Sequence, residues 1–307
     1  MKIFKIILAG LVIVSVSINA QNLTTRYSNY GEMIVTHLHN ASFPDTGRAK
    51  GHTYDTTFYP VAGHYDDSTV AVFIPKGYYQ GSKVDLVIHF HGWFNNVDST
   101  FLQYNLVKQF VGSGKNALLV VPEGPKNAPD SYGGKLEYKE GFSKFVHELI
   151  DTLYSQKKIN TGKIGKIILS GHSGGYRVMS FILMRGGLAN HIKEVYLFDA
   201  LYAEKEKYIY WLDHYKGKLI DIYTEYGGTK DESNKLTDDL KGWGIPFKSF
   251  DSELNVTPYD LANNRLVFIY TDLQHNYVLS ARNEFMNYLK ASCLKNIQQL
   301  KKLQPLN

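Results

Sequence analysis

From about residue 52 onward, short apolar runs alternate with longer stretches in which apolar positions recur every three or four residues. The first pattern predicts strands and the second helices. "TVAVFIP" (69–75) reads as a strand ending at its proline. "VDLVIHFHG" (84–92), "NALLVVPEGP" (116–125), "KIILS" (166–170), "EVYLFDAL" (194–201), "KLIDIYTE" (218–225) and "RLVFIYTD" (265–272) read as further strands. They are apolar almost throughout, as expected of strands covered on both faces. Between them, 99–111 reads as a helix, with Phe101, Leu102, Leu106 and Phe110 on spaced turns and Gly112 after it. Residues 141–153 place Phe142, Phe145, Val146, Leu149, Ile150 and Leu153 on one stripe. Residues 176–184, 204–214, 231–242 and 280–302 also fit helices. Strands alternating with helices predict the α/β class: a mostly parallel central sheet flanked by helices. No internal repeat interrupts it. Ligands of such sheets sit at the carboxyl ends of the strands. The exits to inspect are therefore His91-Gly92-Trp93, Glu123-Gly124, Ser173, Asp199, Glu225 and His275.

One exit differs from the rest. In "KIILSGHSGGYRVMSFIL" an apolar strand ends in Gly-x-Ser-x-Gly and an apolar helix begins at once. A tight strand-to-helix turn lifts a serine hydroxyl above the sheet, and side chains two before or two after would strike neighbouring backbone. Gly171 and Gly175 remove that conflict. The helix start beyond supplies unpaired N–H groups that favour developing negative charge.

Together with "HFHGW", a late "QHNY" and the strand order, this stretch resembles the α/β-hydrolase superfamily over roughly residues 69–290. "VPEGPKNAPDSYGGKLE" is similar to loops of exported esterases. The resemblance implies a sheet of about eight strands with an antiparallel start. It also implies a serine–acid–histidine triad in that chain order and no cofactor. On that footing 52–307 is one hydrolase domain, preceded by an N-terminal extension (21–51).

A serine hydroxyl needs a base to act as a nucleophile. His275, after the last strand and before the final helix, stands where the resemblance implies the triad histidine and is the best placed of the 11 histidines. The acid stays open: Asp199 ends one strand, Glu225 the next, and Asp231 follows on the same exit. An oxyanion hole needs two N–H donors. Gly174, after the serine, supplies one, and Trp93 is the expected second, with Gly92 letting that backbone come close. His91, Gly92 and His172 are expected to line the substrate site. His89 and His91 form His-x-His, but without a Cys or acid partner nearby the pattern does not predict a metal site.

Apolar residues make up 44% and charged residues 21%, which places the chain among globular proteins. The formal charge is +5, two of it from Lys2 and Lys5, with no dense basic run, so nucleic acid is not an expected partner. Residues 1–20 read as an export signal: a positive start, an apolar stretch and Ala20 at the cleavage point. That run is short for a membrane span, so a secreted or periplasmic protein without stable membrane insertion is expected. Cys293 is the only cysteine, which rules out an internal disulfide. Fewer than 20 residues separate Asp199 from the next strand, leaving no room for a large lid. The gate falls to loops carrying Trp93, Phe94, Tyr132, Tyr138 and Tyr226. With 23 tyrosines, the chain suits a small-molecule or carbohydrate ester substrate. The scaffold also admits a non-catalytic binding module or a serine peptidase. Nothing in the pattern speaks to oligomeric state.

Overall fold

The computed structural model describes residues 23–302; the expected export signal lies outside them. Its strands are β1 (Gly31–His37), β2 (His52–Tyr54), β3 (Thr57–Tyr59), β4 (Thr69–Pro75), β5 (Val84–Phe90), β6 (Leu118–Pro122), β7 (Ile164–His172), β8 (Ile192–Phe198), β9 (Lys218–Thr224), β10 (Lys248–Phe250) and β11 (Leu266–Thr271). Nine of them form one sheet in the order β1-β4-β6-β5-β7-β8-β9-β11-β10, while β2 and β3 make a separate hairpin. β4 runs antiparallel to both β1 and β6, and every later pairing is parallel. All seven apolar runs are strands. The two additional sheet members, β1 and β10, lie at the edges. β1 buries only Met33, and β10 is three residues long, so neither carries a strong apolar pattern.

The helices are α1 (Leu23–Arg26), α2 (Val97–Gln103), α3 (Leu106–Ser113), α4 (Gly141–Ser155), α5 (Gly175–Arg185), α6 (Lys205–His214), α7 (Lys230–Gly242), α8 (Pro258–Asn263), α9 (Glu284–Lys290) and α10 (Ile297–Lys302). Two expected helices are each split in two. The 99–111 stretch breaks between Tyr104 and Asn105, where Asn105 takes a left-handed φ of 49°. The 280–302 stretch leaves the helical path after α9, where Lys115 Nζ donates to the Ser292 and Leu294 carbonyls and the Cys293 N–H donates to Glu194. Those tertiary hydrogen bonds outweigh the weak helical preference of "ASCLKN".

Successive strand residues face opposite sides of the sheet. In β5, Leu86 and Ile88 enter one core with Phe142, Phe145 and Leu149 of α4 and Met179 and Ile182 of α5. Val87 enters the other core, with Phe110 of α3 and Phe285 and Tyr288 of α9. A third, small cluster of Phe43, Tyr65 and Ala128 joins the N-terminal segment to the loop after β6.

Candidate active site

Ser173 sits between β7 and α5 with a left-handed φ of 52°, a conformation uncommon for residues with side chains and shared here with ordinary turn and cap residues such as Asn105 and Glu140. Gly175 is sterically required by neighbouring backbone, whereas at Gly171 the nearest atom is the movable end of a methionine. A Cβ on Gly175 would come 2.6 Å from the Phe90 carbonyl oxygen, and one on Gly171 would come 2.5 Å from Met179 Cε. A Cβ on Gly92 would meet Ser173 Cβ at 2.6 Å, so the loop after β5 approaches the serine only because residue 92 has no side chain.

His275 opens a short turn after β11, and its Nδ1 lies 2.6 Å from Asp199 Oδ2. Asp199 directly follows β8, has a φ of 46° and is fully buried. It also accepts from the Thr224 N–H and Thr224 Oγ1, both at 3.2 Å, and from Thr229 Oγ1. Burial alone would raise its pKa, but the hydrogen bonds from His275 and Thr229 outweigh it and hold the carboxyl below its ordinary value. A Cβ on Gly227 would fall 1.5 Å from Asp199 Oδ2, so this loop too closes over the carboxylate through a glycine. Of the three candidate acids, only Asp199 meets His275. Glu225 is exposed and pairs with Lys230, and Asp231 lies in the first turn of α7.

A carboxylate accepts, so His275 Nδ1 carries a proton, and in the neutral ring Nε2 is the nitrogen with the free lone pair. His275 and Ser173 line one cavity of about 600 Å³ at the carboxyl end of the sheet. Its wall holds the aromatic rings of Trp93, Phe94, Tyr104, Tyr176 and Tyr202, with the amides of Asn95, Gln103 and Asn276. No Asp, Glu, Lys or Arg lines it among the described residues. Gly174 packs under Trp93, where a Cβ would meet Trp93 Cδ1 at 2.7 Å. Among the described residues neither the Trp93 N–H nor the Gly174 N–H has an acceptor. Trp93 is anchored by Nε1, which donates to Ser131 Oγ at 2.8 Å.

The other expected lining residues sit differently. His91 does not line this cavity. It is buried beneath the loop, its Nδ1 2.9 Å from the Gly92 carbonyl oxygen and its Nε2 2.9 Å from Glu123. Burial lowers its pKa, but the Glu123 carboxylate more than compensates and raises it. The pair braces the Gly92 loop against the exit of β6. His172 does border the cavity, yet both of its nitrogens are taken by protein groups. Trp93 and Phe94 line the cavity, whereas Tyr132, Tyr138 and Tyr226 do not. The β2–β3 hairpin supplies part of the rim instead: the Tyr54 ring packs edge-on to Trp93 at 5.0 Å, and Tyr59 lies 6.5 Å from Phe94. Tyr104, Tyr202, Thr224 and Thr229 were invisible in the sequence, because no local motif marks them and only the chain's folding brings them here.

Among the described residues no cluster of His, Cys, Asp and Glu is arranged to hold a metal ion. His89 is buried between the rings of Tyr104 and Phe285, with Nδ1 2.9 Å from Ser170 Oγ. No helix among the described residues is long and apolar enough to cross a membrane.

Solved structures resemble this chain at low identity. A mutant feruloyl esterase module from Clostridium thermocellum, complexed with sinapinate, superposes with a TM-score of 0.53 at 12% identity over 85% of this chain and 88% of that one. A fluorophosphonate-binding serine hydrolase of Staphylococcus aureus gives 0.51 at 12% identity, over 86% and 99%. An S-formylglutathione hydrolase from Agrobacterium tumefaciens gives 0.50 at 12% identity, over 86% and 96%. No family model and no curated protein sequence matches. At such identity the likeness is one of fold.

Proposed function

We propose that this chain, which has the α/β-hydrolase fold, is a serine hydrolase that cleaves a neutral carboxylic ester through an acyl-enzyme. One observation carries the reading: a serine in a left-handed turn shares a cavity with a histidine whose Nδ1 lies 2.6 Å from a fully buried aspartate.

In this reaction Ser173 Oγ attacks the ester carbonyl carbon while its proton passes to His275 Nε2. The carbonyl oxygen becomes an oxyanion held by the Trp93 and Gly174 N–H groups. Collapse breaks the bond to the alcohol, which leaves with the proton from His275. A water molecule then repeats the sequence on the acyl-serine, giving up a proton to His275 and releasing the acid. Asp199 stays ionised throughout, fixing the tautomer of His275 and stabilising its imidazolium form.

A cavity walled by aromatic rings and amides, with no Asp, Glu, Lys or Arg in its lining among the described residues, suits an uncharged substrate with flat apolar faces and hydroxyls. Among ester substrates, acylated carbohydrates combine those features, their C–H faces stacking on rings such as Trp93 and Phe94. Phe94 supports this choice: it is 61% exposed and held at a φ of 54°, an apolar ring kept at the rim in strained backbone. The fluorophosphonate-binding and feruloyl esterase relatives supply fold-level support. Export through residues 1–20 belongs to the same reading, and amino-terminal sequencing of the released protein checks it by a start at residue 21.

The test is a fluorophosphonate probe with an ester panel. The expected result is one label per chain at Ser173 and turnover of p-nitrophenyl acetate that Ser173→Ala reduces by at least about 1,000-fold. Acylated saccharides should be cleaved faster than esters bearing a carboxylate. A folded protein that takes no label and cleaves no ester would leave a binding module. Faster cleavage of amides than of esters would make it a peptidase.

A further inference from the structure

We propose that His172 is a positioning residue that locks the His275 turn to the nucleophile turn; the proposal rests on the Ser173–His275–Asp199 reading above. His172 is the last residue of β7 and directly precedes Ser173. Its Nε2 lies 2.9 Å from the His275 backbone carbonyl oxygen. A carbonyl oxygen only accepts, so Nε2 carries the proton. In the neutral ring Nδ1 is then an acceptor, and the Tyr104 hydroxyl donates to it across 2.9 Å. Burial holds the imidazole neutral, with its pKa pushed down to about 3.

Both nitrogens are thus engaged by protein, and none is left for a substrate. What His172 offers instead is a link. The turn that carries His275 is three residues long, and its own backbone bond runs from the Tyr277 N–H to the Gln274 carbonyl at 2.8 Å. The His172 bond ties that turn to the residue beside the nucleophile. The two imidazole rings also face each other, with centroids 4.5 Å apart and planes 34° apart. Tyr104, the far end of the link, is itself held. Gln109 Nε2 donates to the Tyr104 carbonyl at 2.7 Å and to the Leu279 carbonyl at 3.0 Å, and Gln109 Oε1 accepts from the Met286 N–H at 3.1 Å. A run of hydrogen bonds therefore leads from the start of α9 through Gln109, Tyr104 and His172 to His275. Proton transfer from a serine tolerates little displacement of its base, so a histidine turn left to drift would reduce turnover without weakening substrate binding.

Three substitutions separate this role from packing. Gln places an amide nitrogen where Nε2 stands and retains the donor to His275. Asn places its amide at the Nδ1 position only, and Phe retains the ring and no donor. With p-nitrophenyl acetate, His172→Gln should keep kcat within about 3-fold, while His172→Asn and His172→Phe lose about 10- to 100-fold in kcat. KM should move by less than about 3-fold in all three, and fluorophosphonate labelling should slow in parallel with kcat. Wild-type kcat in folded His172→Phe overturns the proposal, as does equal damage in folded Gln and Asn variants, or a loss confined to KM. Failure of the unmodified protein to label overturns the triad itself, which distinguishes the two failures. Should the His172 variants not fold, Tyr104→Phe carries the test. Removing its hydroxyl takes away the hydrogen bond that anchors His172 Nδ1, so kcat should fall several-fold, and an unchanged kcat overturns the link.

Discussion

Two aspartates on neighbouring strands, Asp199 at the exit of β8 and Asp221 inside β9, are both fully buried, yet their surroundings drive them in opposite directions. Asp199 accepts from His275, Thr229 and both the N–H and the hydroxyl of Thr224, and its pKa lies below the ordinary value. Asp221 accepts from the Ser233 hydroxyl at 2.7 Å, its Oδ1 has no partner among the described residues, and burial pushes its pKa up to about 7. The negative charge of Asp199 adds to that rise. Removal from water raises both carboxyls, and the donors and the imidazole that Asp199 meets, and Asp221 lacks, turn the balance at Asp199. The strand exit, where loops converge, supplies those donors; the middle of a strand, whose backbone groups are spent on the ladder, does not.

The largest effect should come from making the two residues chemically alike. Asp199→Asn takes the charge from His275 and lets the imidazole adopt the wrong tautomer, so kcat/KM for p-nitrophenyl acetate should fall by about 10,000-fold at neutral pH. Asp221→Asn should leave it within about 3-fold. Similar losses in the two variants would mean that Asp199 has no special relation to His275.

The next effect reverses the ranking, because it concerns stability. The Asp221 carboxyl is raised from 3.8 to about 7, so between those values the native protein holds a proton that the unfolded chain has released. Stability from this group is fully present below about 3.8 and is lost as pH rises to about 7. Asp221→Asn abolishes the titration. Chemical denaturation of the two proteins from pH 4 to pH 8 should therefore show the balance shifting toward the variant by a few kcal/mol as pH rises. A difference that does not change with pH would show that Asp221 is ionised when folded.

Much of this arrangement was legible in the sequence, and what was hidden has a physical pattern. The seven strands buried on both faces announced themselves by continuous apolar runs, and the Gly-x-Ser-x-Gly bend was visible because its glycines answer local steric demands. Helix continuity was not legible at Asn105 or beyond Ala291, where one left-handed residue or a few tertiary hydrogen bonds decide the path. Edge strands β1 and β10 lacked the burial that produces a pattern. At the site, the choice between Asp199 and Glu225 depended on Thr224, Gly227 and Thr229, whose contact with Asp199 exists only after β8 and β9 pair. His91 and His172 were visible as histidines beside the site, but the inward turn of His91 toward Glu123, and that of His172 between Tyr104 and His275, are tertiary facts.

The smallest effect should come from thinning the donors around Asp199 one at a time. Thr229→Val removes the hydroxyl donated to Asp199 Oδ1 and keeps the side-chain shape, while Thr224 and His275 still donate. The Asp199 pKa should rise toward that of Asp221 without reaching it. A carboxyl whose pKa is depressed on folding contributes stability that is present above its unfolded value and lost as pH falls through its folded one. The variant should therefore be less stable by about 1–2 kcal/mol at neutral pH, and the gap should close in acid as both proteins protonate the carboxyl. Activity should fall by less than about 10-fold, since the charge facing His275 survives. Ser233→Ala at Asp221 is the matching control: it raises an already raised pKa and should leave p-nitrophenyl acetate turnover untouched. If Thr229→Val proved as inactive as Asp199→Asn, the remaining donors would not be sufficient to keep Asp199 ionised, and donor number would have to give way to a single decisive hydroxyl.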